Sequence, residues 1–80
     1  MIDISAMLKD ELINHKEKLG KRIAQFREEK EYGVRQFALL CDIEHHQLIN
    51  IEKGRVDPRY STLLKISKGL GIHVSDLLNF

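Results

Sequence analysis

Eighty residues, 42% of them hydrophobic and 31% charged, describe one compact domain and not two. Thirteen Lys and Arg against twelve Asp and Glu leave a net charge of +1, so bulk electrostatics names no partner, and a single cysteine excludes an internal disulfide. The longest apolar run, Phe37 to Cys41, is far short of the roughly 18 residues of a membrane span, and Asp3, Lys9, Asp10 and Glu11 break any secretory h-region, so a cytoplasmic setting is expected.

Residues 1–18 read as a charge-rich leader, expected to be helical because Ile4, Leu8 and Leu12 recur every four residues. Leu8 and Leu12 read as core or partner contacts, with core the first expectation. From Leu19 onward Leu19, Ile23 and Phe26 share one helical face, and Gly33 is expected to end the segment at the position after its last turn. Val34, Phe37, Ala38 and Cys41 then follow the i, i+3, i+4, i+7 rule of a two-turn amphipathic helix. Leu48 and Ile51 mark another short helix ending near Gly54. Arg55 to Tyr60 is a loop, with Pro58 disfavouring helix just before it. Leu63, Ile66 and Leu70 face inward from a fourth helix, with Gly71 as its stop. Ser75 is expected to cap a last turn that buries Leu77 and Leu78. No run alternates as a strand does, so the fold class is all-α, a bundle of about five short helices preceded by the leader.

The informative block is Gly33 to Gly54. Two helices of about eight residues joined by three or four residues must cross steeply, and Ala38 is small where they touch. This block resembles the helix-turn-helix of the Cro/repressor (XRE) family, and the resemblance extends over residues 19–80. Leu19 to Arg27 looks like that family's first helix. Ile51-Glu52-Lys53-Gly54 is similar to its Ile-Glu-x-Gly ending, and Pro58 through Leu70, closed by Val74-Ser75-Asp76-Leu77-Leu78, is similar to its tail. Three positions depart from the pattern. Asp42 replaces the turn glycine, at a cost of about 1 kcal/mol. Val34 replaces a phosphate-contacting glutamine, leaving that contact to backbone N–H groups. Glu44 replaces a Ser or Thr cap, with Gln47 keeping half of a capping box.

With Leu48 and Ile51 inward, His45, His46, Ile49 and Asn50 face outward, and Gln47 lies at the margin. Placed in a major groove, Asn50 would read adenine, the histidines would donate to guanine or phosphate, and an open Ile49 would meet a thymine methyl. Arg35, Lys53, Arg55, Arg59 and Tyr60 flank this face as phosphate contacts, beside the backbone of Val34. The resemblance implies that Arg27 and Glu52 pair structurally. Adjacent histidines point about 100° apart and no metal-ligand spacing exists, so no metal and no cofactor is expected. Cys41 reads as a core thiol and no catalytic set is present, so the chain is not expected to be an enzyme.

The reading is a sequence-specific double-stranded DNA-binding transcriptional regulator, repressor-like at an operator and acting as a homodimer, with no membrane contact. Val74, Asn79 and Phe80 are the candidate dimer contacts. A helical protein-interaction module, or an antitoxin-type protein partner, is the alternative, favoured by the near-zero net charge and by Val34.

Overall fold

The computed structural model describes residues 4–80, with side chains from residue 8 onward. The Ile4 side chain therefore lies outside the described residues. Five helices occur, α1 (Ile4–Glu29), α2 (Val34–Cys41), α3 (His45–Glu52), α4 (Tyr60–Leu70) and α5 (Val74–Leu77), with no strand among the described residues. The leader and the first helix of the bundle are one continuous helix. At about 1.5 Å per residue, its 26 residues reach roughly 39 Å. The molecule measures 48 × 23 × 21 Å, so α1 runs past the bundle it supports.

Leu19 and Ile23 from α1 pack with Phe37, Ala38 and Cys41 of α2, Leu48 and Ile51 of α3, Leu63, Ile66 and Leu70 of α4, and Leu77 of α5. Every helix from α2 to α5 contributes its apolar stripe to this one core, and each buried large side chain is worth about 1.5–3 kcal/mol. Leu8 and Leu12 do not join it. They are 54% and 59% exposed, because the helix that carries them has already left the bundle.

The helix ends correct four other expectations. Glu31, at φ 60°, is the left-handed residue that terminates α1, and Tyr32 N–H donates to the Arg27 carbonyl at 3.2 Å. Gly33 comes too late to do this and instead precedes α2 in extended backbone, at φ −70° and ψ 158°. Its neighbour Tyr32 stacks on Phe37 with centroids 5.6 Å apart, which fixes where the turn must close. At α5 the capping residue is His73 and not Ser75. The Asp76 carboxylate accepts the His73 backbone N–H at 3.3 Å, placing Ser75 inside the helix. Consecutive residues on one short helix point about 100° apart, so Leu77 is buried while Leu78 remains 45% exposed. Tyr60 opens α4 and is not part of the loop.

Candidate nucleic-acid interface

The helix that could read DNA is held from behind. α1 crosses α3 so closely that a Cβ on Gly20 would fall 2.5 Å from the Glu52 carbonyl oxygen and against that of Ile51. Only glycine permits this approach. Sequence reasoning missed the position, whose only local signal is a glycine inside a helix. Below it, Arg27 and Glu52 form a two-pronged bond, Nε to Oε2 at 2.8 Å and Nη2 to Oε1 at 3.0 Å. Arg27 Nη1 also donates to the Tyr32 carbonyl at 2.8 Å, so one side chain ties α1, α3 and the turn after α1. Both side chains are about nine-tenths buried. The bond to Glu52 raises Arg27 above its usual pKa, against the opposing effect of burial.

The turn between α2 and α3 runs through Asp42 in the left-handed conformation, φ 57° and ψ 47°. Asp42 N–H donates to Leu39 O and Ile43 N–H to Ala38 O, which closes α2 and sets the crossing. Lys65 of α4 reaches the Asp42 carbonyl at 3.3 Å. Glu44 precedes α3 without a side-chain capping bond, so the expected half box with Gln47 does not form. That carboxylate points into solvent and leaves the first N–H groups of α3 uncapped by it.

On the outer side of α3, His46, Gln47 and Lys53 are exposed, while His45, Ile49 and Asn50 are half-buried. Ile49 is thus less open than an isoleucine standing alone among polar neighbours. The His45 and His46 rings lie 5.3 Å apart. Partial burial, then the Arg35 charge and His46, lower the pKa of His45. Asn50 Oδ1 accepts a long bond, 3.4 Å, from Arg55 Nη1, so Arg55 is tied to the outer side of α3 as well as to its flank. Arg35, whose charge acts on His45, and Arg55 are exposed beside this face, Arg59 and Tyr60 are exposed at the start of α4, and Val34 at the start of α2 is half-buried against the core. α2 has no side-chain capping bond at its start. Val74 packs partly inward, whereas Asn79 and Phe80 are exposed.

Two other chemistries gain no support. Among the described residues no group of three or more His, Cys, Asp or Glu side chains could hold a metal. Cys41 is buried, and burial pushes its thiol up to about 11, so it stays protonated and inert as a nucleophile. No helix of the described residues is long and apolar enough to cross a membrane.

With this geometry in view, residues 20–79 match the family described as "Helix-turn-helix domain". The chain belongs to that helix-turn-helix family. It is 32% identical over 60 residues to the HTH-type transcriptional regulator PuuR of Escherichia coli K12. That match takes in 75% of this chain but 32% of PuuR, so the chain spans about a third of the length of the curated relatives it matches. The clp gene regulator ClgR of Corynebacterium glutamicum superposes with a TM-score of 0.75 at 28% identity, over 79% of this chain and 67% of ClgR. The restriction-modification controller protein C.AhdI of Aeromonas hydrophila shares the fold, with a TM-score of 0.75 at 23% identity over 76% of this chain and 92% of its own. The helix-turn-helix itself is the α2–α3 pair, and the fold is that of small helical regulators.

Proposed function

We propose that residues 19–80 form the DNA-binding unit of a transcriptional regulator, with residues 1–18 as its leader, acting as a homodimer that represses at an operator. The observation that carries this reading is the two-sidedness of α3. Its inner side is fastened to α1, and its outer side presents His45, His46, Gln47, Ile49 and Asn50 between exposed basic residues. PuuR and ClgR, both regulators by name, support the class. In this reading Asn50 contacts a base edge, the histidines contact guanine or phosphate, and Ile49 contributes a smaller apolar contact because half of it is covered. Arg35, Lys53, Arg55, Arg59, Tyr60 and the Val34 backbone hold phosphates. Two such units on a palindromic site would set their α3 helices about 34 Å apart, one turn of DNA.

A second reading is favoured by one observation. Leu39 is 84% exposed and shares a shallow groove with Asp42, Ile43, Glu44 and Gln47 between α2 and α3, a partly apolar surface suited to a protein partner. Salt separates the two. Binding through several phosphates loses affinity steeply as salt rises, with a log–log slope of about −0.9 per phosphate, whereas an apolar interface barely responds. Titration of the chain against random and selected duplex DNA at several salt concentrations is the test. Absence of duplex binding at low salt overturns the DNA reading and leaves the groove.

A further inference from the structure

α1 carries one apolar stripe in two environments. At Leu19 the stripe is buried in the bundle. Toward the N-terminus it continues through His15, Leu12 and Leu8, and among the described residues Leu12 and Leu8 remain more than half exposed. The spacing 8, 12, 15, 19 alternates four and three residues, the seam spacing of paired helices. The end of the chain extends the same surface, with the Phe80 ring 5.8 Å from His15 and a shallow hollow of about 150 Å³ bounded by Leu12, Leu78 and Phe80. Phe80 is 46% exposed and Leu78 45%.

We propose that this surface seats a second copy of the chain, the arm (residues 8–18) of each copy lying antiparallel on the arm and C-terminal residues of the other. Charge selects that occupant. Lys9-Asp10-Glu11 carries one excess negative charge and Lys16-Glu17-Lys18 one excess positive charge, and antiparallel alignment of two copies sets them opposite each other. Glu11 and Lys18 each immediately precede a seam leucine, so they flank the stripe on one side. Glu11 of each copy then meets Lys18 of the other, twice per pair. On the other flank Lys16 and Asp57 both line the hollow, so the partner's Lys9 faces one charge of each sign. A parallel pair is excluded by sterics. A parallel partner would set its bundle at the same end of the paired arms, on the side the stripe faces, where this chain's own bundle stands, whereas an antiparallel partner brings its Leu8 to the hollow beside Leu19. The antiparallel pair is two-fold symmetric and closed.

The contact is smaller than the roughly 20 residues a side of a standard interface, so association in the micromolar range is expected. The proposal deepens the dimer part of the functional reading and rests on it only there, since arms can pair without DNA.

Sedimentation equilibrium of the full chain tests it, with thermal melting followed by circular dichroism to check folding. Wild type should dimerise reversibly. Leu12→Asp should weaken dimerisation about a hundredfold or more, yet melt cooperatively, because Leu12 is outside the core. Glu11→Lys and Lys18→Glu should each weaken it about tenfold. Glu11 also approaches His15 at 3.9 Å, an exposed contact whose loss the melting curve would reveal. The two single variants mixed together should recover wild-type association, because every crossing pair is then opposite in sign. A monomer throughout the micromolar range, a dimer indifferent to these variants, or failure of the mixture to recover would overturn the proposal. Salt-dependent DNA binding retained in any of those cases would leave the DNA reading standing.

Discussion

Leu48 and Ile51 are sealed against α1 and α2, whereas His46, Gln47 and Lys53, on the other side of the same eight-residue helix, meet solvent. The inner side is over-determined. Gly20 admits the α3 carbonyls, the core closes on Leu48 and Ile51, and Arg27 grips Glu52 from α1. The outer side is held lightly, with one long bond between Arg55 and Asn50. A rigid back lets the front vary in chemistry without moving. On the proposed DNA-reading role, specificity is rewritten on α3 by side-chain exchange, while exchange on its back costs stability first.

The largest expected effect breaks the inner side. Arg27→Ala leaves the Glu52 carboxylate buried without its partner and removes the bond to the Tyr32 carbonyl, for a loss of about 3–5 kcal/mol. Glu52→Ala should cost somewhat less, because Arg27 keeps Tyr32 and can still approach Glu28. Replacing the pair together by Met and Leu should recover much of the loss, since an apolar pair carries no stranded charge. Urea denaturation midpoints measure all three. Singles that denature at the wild-type midpoint would show that the buried bond contributes nothing.

The next effect belongs to the outer side and should leave stability alone. Asn50→Ala should cost roughly 1–3 kcal/mol on the best duplex selected from random DNA, and almost nothing on unselected duplex. Arg59→Ala should weaken both equally and reduce the salt slope by about one. Arg55→Ala should do both, because its guanidinium also orients the Asn50 amide. Equal loss on selected and unselected DNA for Asn50→Ala would remove base reading from this face.

The same contrast explains how much was legible in the sequence. Periodicity identified α2, the buried face of α3 and the α4 stripe, because burial there follows from local spacing. Asp42 could be assigned to the left-handed turn because Asp tolerates that conformation. Residue-type rules failed where tertiary contacts decided. Glu31 took the left-handed position assigned to Gly33, and His73, not Ser75, became the cap because Asp76 stands three residues after it. The stripe through Leu8 and Leu12 was visible, but spacing reports a shared face and not its cover. Gly20 carried no signal of its importance, since its role depends on carbonyls more than thirty residues away.

A smaller change would sharpen the joint between the two sides. Asp42→Gly removes the strain of a side chain at φ 57° and should stabilise the fold by about 1 kcal/mol. The Lys65 bond is to the Asp42 backbone carbonyl and survives; only a 3.9 Å contact between exposed charges is lost. A raised melting temperature is the expected result. Unchanged or lower stability would mean that the aspartate adds more at the turn than its backbone costs.

The smallest expected effect titrates the outer side. His45 has its pKa lowered by partial burial and by the Arg35 and His46 charges, so it is mostly neutral in the free protein near neutral pH. A phosphate near His45 would favour its charged imidazole and raise its pKa in the complex. The sign follows from linkage. A group whose pKa rises on binding takes up a proton, so the affinity gain is complete below the free-state pKa and fades as pH climbs through the value in the complex. Affinity for duplex DNA should therefore increase as pH falls from about 8 to about 6. His45→Gln with His46→Gln should flatten that profile while keeping polar side chains at both positions. The lowered starting pKa of His45 pushes the full gain to the acidic end of this window, so a steep rise confined near pH 8 would point to another group. A flat wild-type profile would show that His45 gains no proton on binding, leaving it on the outer side as a neutral contact or as none.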